Sequence, residues 1–112
     1  MASDQSFVTF VCDQMHGAGL IESRKMFGEY AIYCDGKVVA LVCDNQLFVK
    51  PTPGGKAVCG DVVEAPPYRG VKPFYLITDR LDDADWLARL IATTARELPV
   101  PKAKKPKIKK RD

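Results

Sequence analysis

The sequence has one histidine and one tryptophan, and it has no run of apolar residues long enough to cross a bilayer. Its opening residues, MASDQSFVTF, lack the basic start and apolar core of a secretory signal peptide. Both absences favour a cytoplasmic protein. A length of 112 residues, of which 46% are apolar and 28% charged, suits one globular domain and excludes a second of full size.

The four cysteines include no closely spaced pair. Cys12, Cys34, Cys43 and Cys59 are separated by 22, 9 and 16 positions, and His16 is the one histidine. A structural zinc site takes four converging ligands, which usually arrive as close pairs in the sequence. In a reducing compartment we expect these cysteines to act as small buried apolar residues, and we predict no metal.

The sequence also has no recognisable catalytic constellation. The Gly-Gly-Lys run at 54–56 lacks the spacing and the following Ser or Thr of a phosphate-binding loop, and the neighbouring prolines favour a turn. Asp82, Asp83 and Asp85 stand where a helix is expected to begin, so helix capping and the helix dipole explain them. We therefore predict no enzymatic activity, no catalytic residues and no cofactor.

Charge is divided unevenly between the body and residues 101–112. This tail carries a net charge of +6, whereas the preceding residues sum to −3. Because it contains prolines and no aromatic residue, we expect a disordered Lys/Pro-rich tail after a folded domain over residues 1–100. The tail suits either non-specific nucleic-acid binding or a solubilising role. Its basic residues are Lys102, Lys104, Lys105, Lys107, Lys109, Lys110 and Arg111.

Hydrophobic periodicity predicts one helix from Asp4 to about His16 and another from Asp82 to about Leu98. A short helix is expected after Thr52-Pro53. The segments rich in aromatic and β-branched residues predict strands at 24–34, 38–43, 46–50 and 74–78. The order favours a two-layer α+β fold with an N-terminal helix, an antiparallel β-meander plus a further strand, and a C-terminal helix.

Both faces of the first predicted hairpin are apolar, although a sheet covered on one side normally alternates apolar with polar residues. Regular pairing across the Asp35-Gly36 turn places Tyr30 opposite Leu41. One face then holds Tyr30, Ile32, Cys34, Val39, Leu41 and Cys43. The other holds Phe27, Glu29, Ala31, Tyr33, Val38, Ala40 and Val42.

Two explanations of the second apolar face stay open. Either a helix packs on each face, or the loop at 51–72 folds across, and the face is internal. Alternatively, it docks a second copy as a homodimer or an unknown protein partner. In that case the protein-interaction residues are Phe27, Glu29, Tyr33, Val38 and Val42, with Glu29 at the rim.

Several short motifs occur in a specific order. They are RKMFGEYAIY at 24–33, Asp-Gly-Lys at 35–37, Ala-Leu-Val at 40–42, Leu-Phe-Val-Lys at 47–50, Pro-Phe-Tyr at 73–75 and Trp86. This order resembles the N-terminal domain of the TfoX/Sxy family, and the similarity covers about residues 4–98. Glu29 and Ala31 depart from the pattern, since the best-known members have glycine there.

The resemblance implies both a fold and a role. The founding members of the family regulate DNA-uptake competence and join this domain to a second, helical domain, whereas this chain resembles the stand-alone class. We therefore expect a non-enzymatic regulatory or adaptor domain that acts by protein–protein contact. The alternative is a small nucleic-acid-associated protein that binds non-specifically through its basic tail. We expect neither a membrane nor a small-molecule substrate as a partner.

Overall fold

The computed structural model describes residues 3–26 and 28–99, and it has an α+β fold in which one α-helix precedes and another follows, along the chain, the strands of a six-stranded antiparallel sheet. The helices are α1 (Gln5–Gln14), α2 (Pro53–Cys59) and α3 (Ala84–Glu97), with a 3-10 turn at His16–Ala18. The strands are β1 (Ile21–Met26), β2 (Glu29–Cys34), β3 (Lys37–Cys43), β4 (Gln46–Val49), β5 (Val63–Ala65) and β6 (Phe74–Ile77). The predicted fold class is confirmed.

The basic tail and Phe27 lie outside the described residues. Within the described ranges, none of the helices has the length and hydropathy needed to span a lipid bilayer.

Two tight turns build the predicted meander. Asp35 and Gly36 connect β2 to β3 with φ angles of 52° and 84°, and Asp44 and Asn45 connect β3 to β4 with φ angles of 54° and 56°. Positive φ at both central residues gives a turn whose twist matches that of the flanking strands. The sheet order is β1-β2-β3-β4-β6-β5, so the later strands extend the same sheet.

The predicted single strand over residues 24–34 is wrong. The chain turns at Gly28, where φ is 81°, and β1 folds back antiparallel onto β2 with Met26 opposite Glu29. A glycine adopts this left-handed conformation without steric cost, which allows the reversal. As a result, β1 rather than β2 forms one edge of the sheet.

A bulge in β3 changes the predicted register. Cys34 pairs with Lys37 as expected, but the register shifts between Ile32 and Tyr33, so that Tyr30 pairs with Val42 instead of Leu41. The extra residue, left without a partner on β2, is Val39. Because successive side chains of a strand alternate between faces, one extra residue exchanges the faces of everything that follows it.

The three α-helices pack on one face of the sheet, so the alternative in which a helix covers each face is wrong. Their apolar stripes meet the side chains of β2, β3, β4 and β6 in the main core. The fully buried side chains with the largest volumes in this core include Met15, Ile32, Leu47, Leu87, Leu90 and Ile91. Burial of each such side chain contributes roughly 1.5–3 kcal/mol.

Helices α2 and α3 begin at side-chain caps. The Thr52 hydroxyl accepts a hydrogen bond from the Gly55 amide at 3.0 Å, and the Asp83 carboxylate accepts one from the Trp86 amide at 3.1 Å. The glycines at 54 and 55 therefore lie in the first turn of α2 and not in the predicted loop turn. A Cβ at position 54 would collide with the Glu97 carboxylate of α3. Because glycine has no Cβ, the two helices can approach closely here.

Lys37, the first residue of β3, connects the sheet to the end of α3. Its Nζ donates to the carbonyl oxygens of Ala95 at 2.8 Å and Leu98 at 3.0 Å. The last carbonyls of a helix have no partner within the helix, and the negative end of the helix dipole favours a cation there. The side chain therefore satisfies two carbonyls and fixes the helix against the sheet.

Replacing Lys37 by Met should lower the free energy of unfolding by about 1–2 kcal/mol, because the partly buried carbonyls of Ala95 and Leu98 lose a charged hydrogen-bond donor. Lys56→Met serves as the control, since Lys56 forms an ion pair at 3.8 Å with Glu64 in which both side chains are about half exposed. That change should cost about 0.5 kcal/mol or less. Urea unfolding at pH 7 measures both, and equal losses would contradict the capping role.

Candidate functional site

The sheet face opposite the helices, here called the open face, carries its own apolar cluster. Ala31, Leu41, Cys43 and Phe48 are its buried members. Partly buried apolar side chains surround them, namely Met26, Tyr33, Val38, Ala65, Phe74 and Leu76. No helix contributes to this cluster among the described residues.

A groove of about 630 Å³ opens at one end of this face. Two residues of the connection between β5 and β6 form one side of it: Pro67 is buried, and Tyr68 is 50% exposed. Its lining is formed by Met26, Glu29, Tyr30, Leu41, Cys43, Asp44, Pro67 and Tyr68. The connecting loop therefore covers the open face only in part and leaves an apolar groove accessible.

The predicted interaction residues are distributed differently from the expectation. Glu29 lines the groove. Tyr33 and Val38 pair with each other on the open face, partly buried and outside the groove lining. The placement of Val42 was wrong: the bulge turns it to the helix face, where it is fully buried. Phe27 lies outside the described residues.

Sequence reasoning missed most of the groove for two physical reasons. Leu41 and Cys43 were placed on the helix face because a bulge has no signal in apolar alternation when both faces are apolar. Pro67 and Tyr68 belong to a segment rich in proline and glycine, whose path over the sheet no periodicity predicts. A tyrosine flanked by two prolines and an arginine was the one local hint of a structured loop.

The carboxylate of Glu29 is held by backbone amides. Its Oε1 accepts from the Ser3 amide at 2.9 Å and its Oε2 from the Asp44 amide at 2.9 Å. Burial alone would raise the pKa of Glu29, but hydrogen bonds from the Asp44 amide and from Ser3 outweigh it, and the net pKa is lowered. The negatively charged Glu29 side chain therefore joins the segment before α1 to the turn after β3. We call this pair of hydrogen bonds the Glu29 clasp.

The clasp extends to the turn between β3 and β4. The Ser3 hydroxyl accepts from the Asn45 amide at 2.9 Å, and the Asn45 side-chain oxygen accepts from the Asp4 amide at 2.8 Å. Residues before α1 are thus attached to a turn about 40 positions away in sequence. Two members of this network, Glu29 and Asp44, line the groove and form its polar end.

The cysteines are all free thiols. Cys34, Cys43 and Cys59 are buried and Cys12 is partly buried, as expected for small apolar residues. Burial raises the pKa of each of the four thiols. Cys43 is the one that lines the groove, where the carboxylates of Glu29 and Asp44 raise its pKa further. At neutral pH it is a protonated and weakly nucleophilic group.

Among the described residues, no group of three or more His, Cys, Asp or Glu side chains is arranged to hold a metal ion. Asp83 of the acidic triplet is occupied as the cap of α3. The groove presents apolar side chains, two tyrosines and two carboxylates, a combination that suits recognition of another molecule.

Two comparisons with known proteins show which family the sequence resembles. The family model described as the TfoX N-terminal domain matches residues 13–98. One relative, from Spirochaeta aurantia, is described as an uncharacterized 12.7 kDa protein in the trpE 5′ region. It is 38% identical over 109 residues, which is 97% of this chain and 95% of the relative.

Replacing Glu29 by Gln should lower the free energy of unfolding by about 1–2 kcal/mol at pH 7, because an amide offers an acceptor to one of the two backbone N–H groups and a donor to the other. A carboxyl with a lowered pKa in the folded state stabilises the protein above its unfolded pKa, near 4.5, and loses this effect as pH falls through the folded value. The difference from wild type should therefore shrink below pH 4.5. Urea titrations across pH, with Glu64→Gln as the exposed control, measure it, and a difference independent of pH would refute the clasp.

Proposed function

This chain belongs to the TfoX N-terminal domain family, and from that premise we propose that it is a non-enzymatic regulatory or adaptor domain. It acts by protein–protein contact through the groove on its open face. The membership rests on the match over residues 13–98 and on a relative of nearly equal extent. The mode of action rests on the physical character of the groove.

The observation that carries the proposal is an apolar groove on the face without helices. Proteins rarely leave connected apolar surface accessible unless another molecule covers it. The groove volume of about 630 Å³ is sufficient for several side chains of a partner. Tyr68 stands half exposed at its margin, and tyrosine is among the residues that contribute most to binding energy at interfaces.

The polar groups of the groove favour binding over catalysis. The Glu29 carboxylate is held by two amides, so its proton affinity is reduced and its oxygens are occupied. The Cys43 thiol has a raised pKa and lies next to carboxylates, which oppose formation of a thiolate. A general base and an activated nucleophile, as hydrolytic or transfer chemistry requires, do not meet among the described residues of the groove.

The regulatory part of the proposal follows from the family. The resemblance links the domain to regulators of competence, and a domain without its own chemistry affects such a process by binding another component. The protein partner is therefore a surface with an apolar anchor that fits beside Tyr68. A basic residue near this anchor would face the Asp44 side of the groove, since Glu29 and Asp44 give that end a negative charge.

Tyr68→Ser should weaken partner capture by about 30-fold, the equivalent of about 2 kcal/mol for an aromatic anchor at an interface. Tagged wild-type protein, Tyr68→Ser and Phe10→Ser are compared by affinity capture from nuclease-treated lysate and quantitative mass spectrometry. Phe10 is the matched control because it is an exposed aromatic side chain on α1, in the helix layer. Proteins retained by wild type and Phe10→Ser but lost with Tyr68→Ser support the proposal, and identical sets for all three contradict it.

The basic tail supports a second candidate, non-specific nucleic-acid binding. Seven basic residues occur between positions 102 and 111. They lie outside the described residues, so this candidate rests on the sequence alone. The tail contains no aromatic residue for stacking on bases, which limits it to contacts with phosphates.

If all seven bases contact phosphates, the logarithm of the DNA association constant should fall with the logarithm of salt concentration with a slope of about −6. A full-length variant with serine at all seven positions should then lose DNA retention at low salt. Fluorescence anisotropy with a labelled duplex measures both chains. Equal binding by the two chains at the same salt would place any nucleic-acid contact on the body and reject the tail.

A further inference from the structure

Strand β1 is an edge strand with an accessible backbone. Among the described residues it pairs with β2 alone, and its register over Ile21 to Met26 is uninterrupted. An edge strand is a template for pairing with another chain unless it is short, bulged or broken by proline. The opposite edge, β5, has three residues, whereas β1 has six and contains no proline.

The backbone groups that β1 leaves unpaired can be identified from its pairing with β2. The Asp35 amide donates to the Leu20 carbonyl at 2.9 Å, which makes residues 20 and 35 a hydrogen-bonded pair. In an antiparallel ladder such pairs alternate along the strand. Residues 22, 24 and 26 therefore direct their backbone groups toward β2, and Ile21, Ser23 and Lys25 direct theirs outward.

We propose that β1 pairs antiparallel with β1 of a second copy of this chain, about a twofold axis that passes through Ser23. The axis is perpendicular to the sheet, because only that orientation relates antiparallel strands at two sheet edges. Ser23 then pairs with Ser23 of the second copy, and Ile21 pairs with Lys25. All three outward-facing residues of each strand form backbone hydrogen bonds, and the two sheets become one.

Charge complementarity selects this register. Glu22 pairs with Tyr33 and Arg24 with Ala31, so both charged side chains lie on the open face. In the register centred on Ser23, each Glu22 stands directly opposite Arg24 of the second copy. Moving the axis to Arg24 would place the two guanidinium groups opposite each other, and like charges directly opposed destabilise a strand pair.

The side chains involved are exposed, and the Arg24 guanidinium also lies over the Tyr33 ring, 5.4 Å from its centre. Within one chain, Arg24 and Glu22 approach to 4.0 Å, and their side chains are 69% and 52% exposed, which describes a weak pair. Charged side chains usually discourage pairing at an edge strand, and β1 carries Glu22, Arg24 and Lys25. Here the alternation of acid and base makes the edge complementary to its own twofold image.

The paired sheet would keep both helix layers on one side and both open faces on the other. The two grooves would then face the same direction, one on each side of the axis. The Ser23 side chain shares the helix face with Cys12 of α1, so the axis passes beside the two α1 helices. The inference concerns assembly and does not require that the groove bind a partner.

Sedimentation equilibrium of the full chain tests the proposal through charge exchange. Wild type and the control Arg89→Glu, an exposed change on α3, should be dimeric. Glu22→Arg places four arginines at the axis and Arg24→Glu places four glutamates, so each should weaken dimerisation by at least about tenfold. An equimolar mixture of the two variants should form heterodimers, because every arginine then faces a glutamate. Wild type that stays monomeric up to about 1 mM, or a mixture that stays monomeric, overturns the proposal.

Hydrogen exchange distinguishes edge pairing from a dimer formed through the groove. The amides of Ile21, Ser23 and Lys25 should be protected in wild type and exchange about tenfold faster or more in Glu22→Arg, while amides of β3 keep their protection. A wild-type dimer in which these three amides exchange freely, and which Tyr68→Ser dissociates, would overturn edge pairing. The same result would support the groove as a contact surface.

Discussion

One residue of β3 without a partner on β2, Val39, determines which side chains of this strand meet the helices and which form the open face. After Val39 the side chains of β3 point to the faces opposite to those that regular pairing would give. Val42 is therefore buried beneath the helix layer, and Leu41 and Cys43 lie on the other side. Both arrangements bury apolar residues, and the difference between them lies in the volumes each face must accommodate. The helix side receives the branched side chains that pack against α3, and the groove receives a leucine and a cysteine with space above them.

The parts of the fold that could be predicted from sequence are those determined by local physics. Asp35-Gly36 and Asp44-Asn45 required positive φ, and Thr52 and Asp83 were placed to accept amide hydrogen bonds at helix starts. The parts that could not be predicted depend on contacts distant in sequence. The path of the segment around Tyr68 and the capture of the Ser3 amide by Glu29 are decided by the assembled sheet. With or without the bulge, β3 places apolar residues on both faces of the sheet. Packing against the rest of the fold decides between the two registers, so no pattern within β3 could reveal the bulge.

Glu29 illustrates how a departure from a family pattern gains a structural role. The resemblance places a glycine here, whereas this chain has a carboxylate that binds the amides of Ser3 and Asp44. The same side chain contributes negative charge to the end of the groove. With glycine at this position the chain would lose both hydrogen bonds to these amides and one negative charge at the groove. A change at one strand end thus alters a local contact and the charge of the groove together.

The position of α3 at the end of the domain affects how the protein is made. During synthesis, β2, β3 and β4 leave the ribosome well before residues 84–97, and their helix-facing side chains depend on Leu87, Leu90 and Ile91 for cover. Until that helix emerges, the nascent sheet is apolar on both sides and has no completed core. Cooperative folding must then wait for almost the whole body of the domain, and the apolar surface of the nascent sheet stays exposed until α3 joins it.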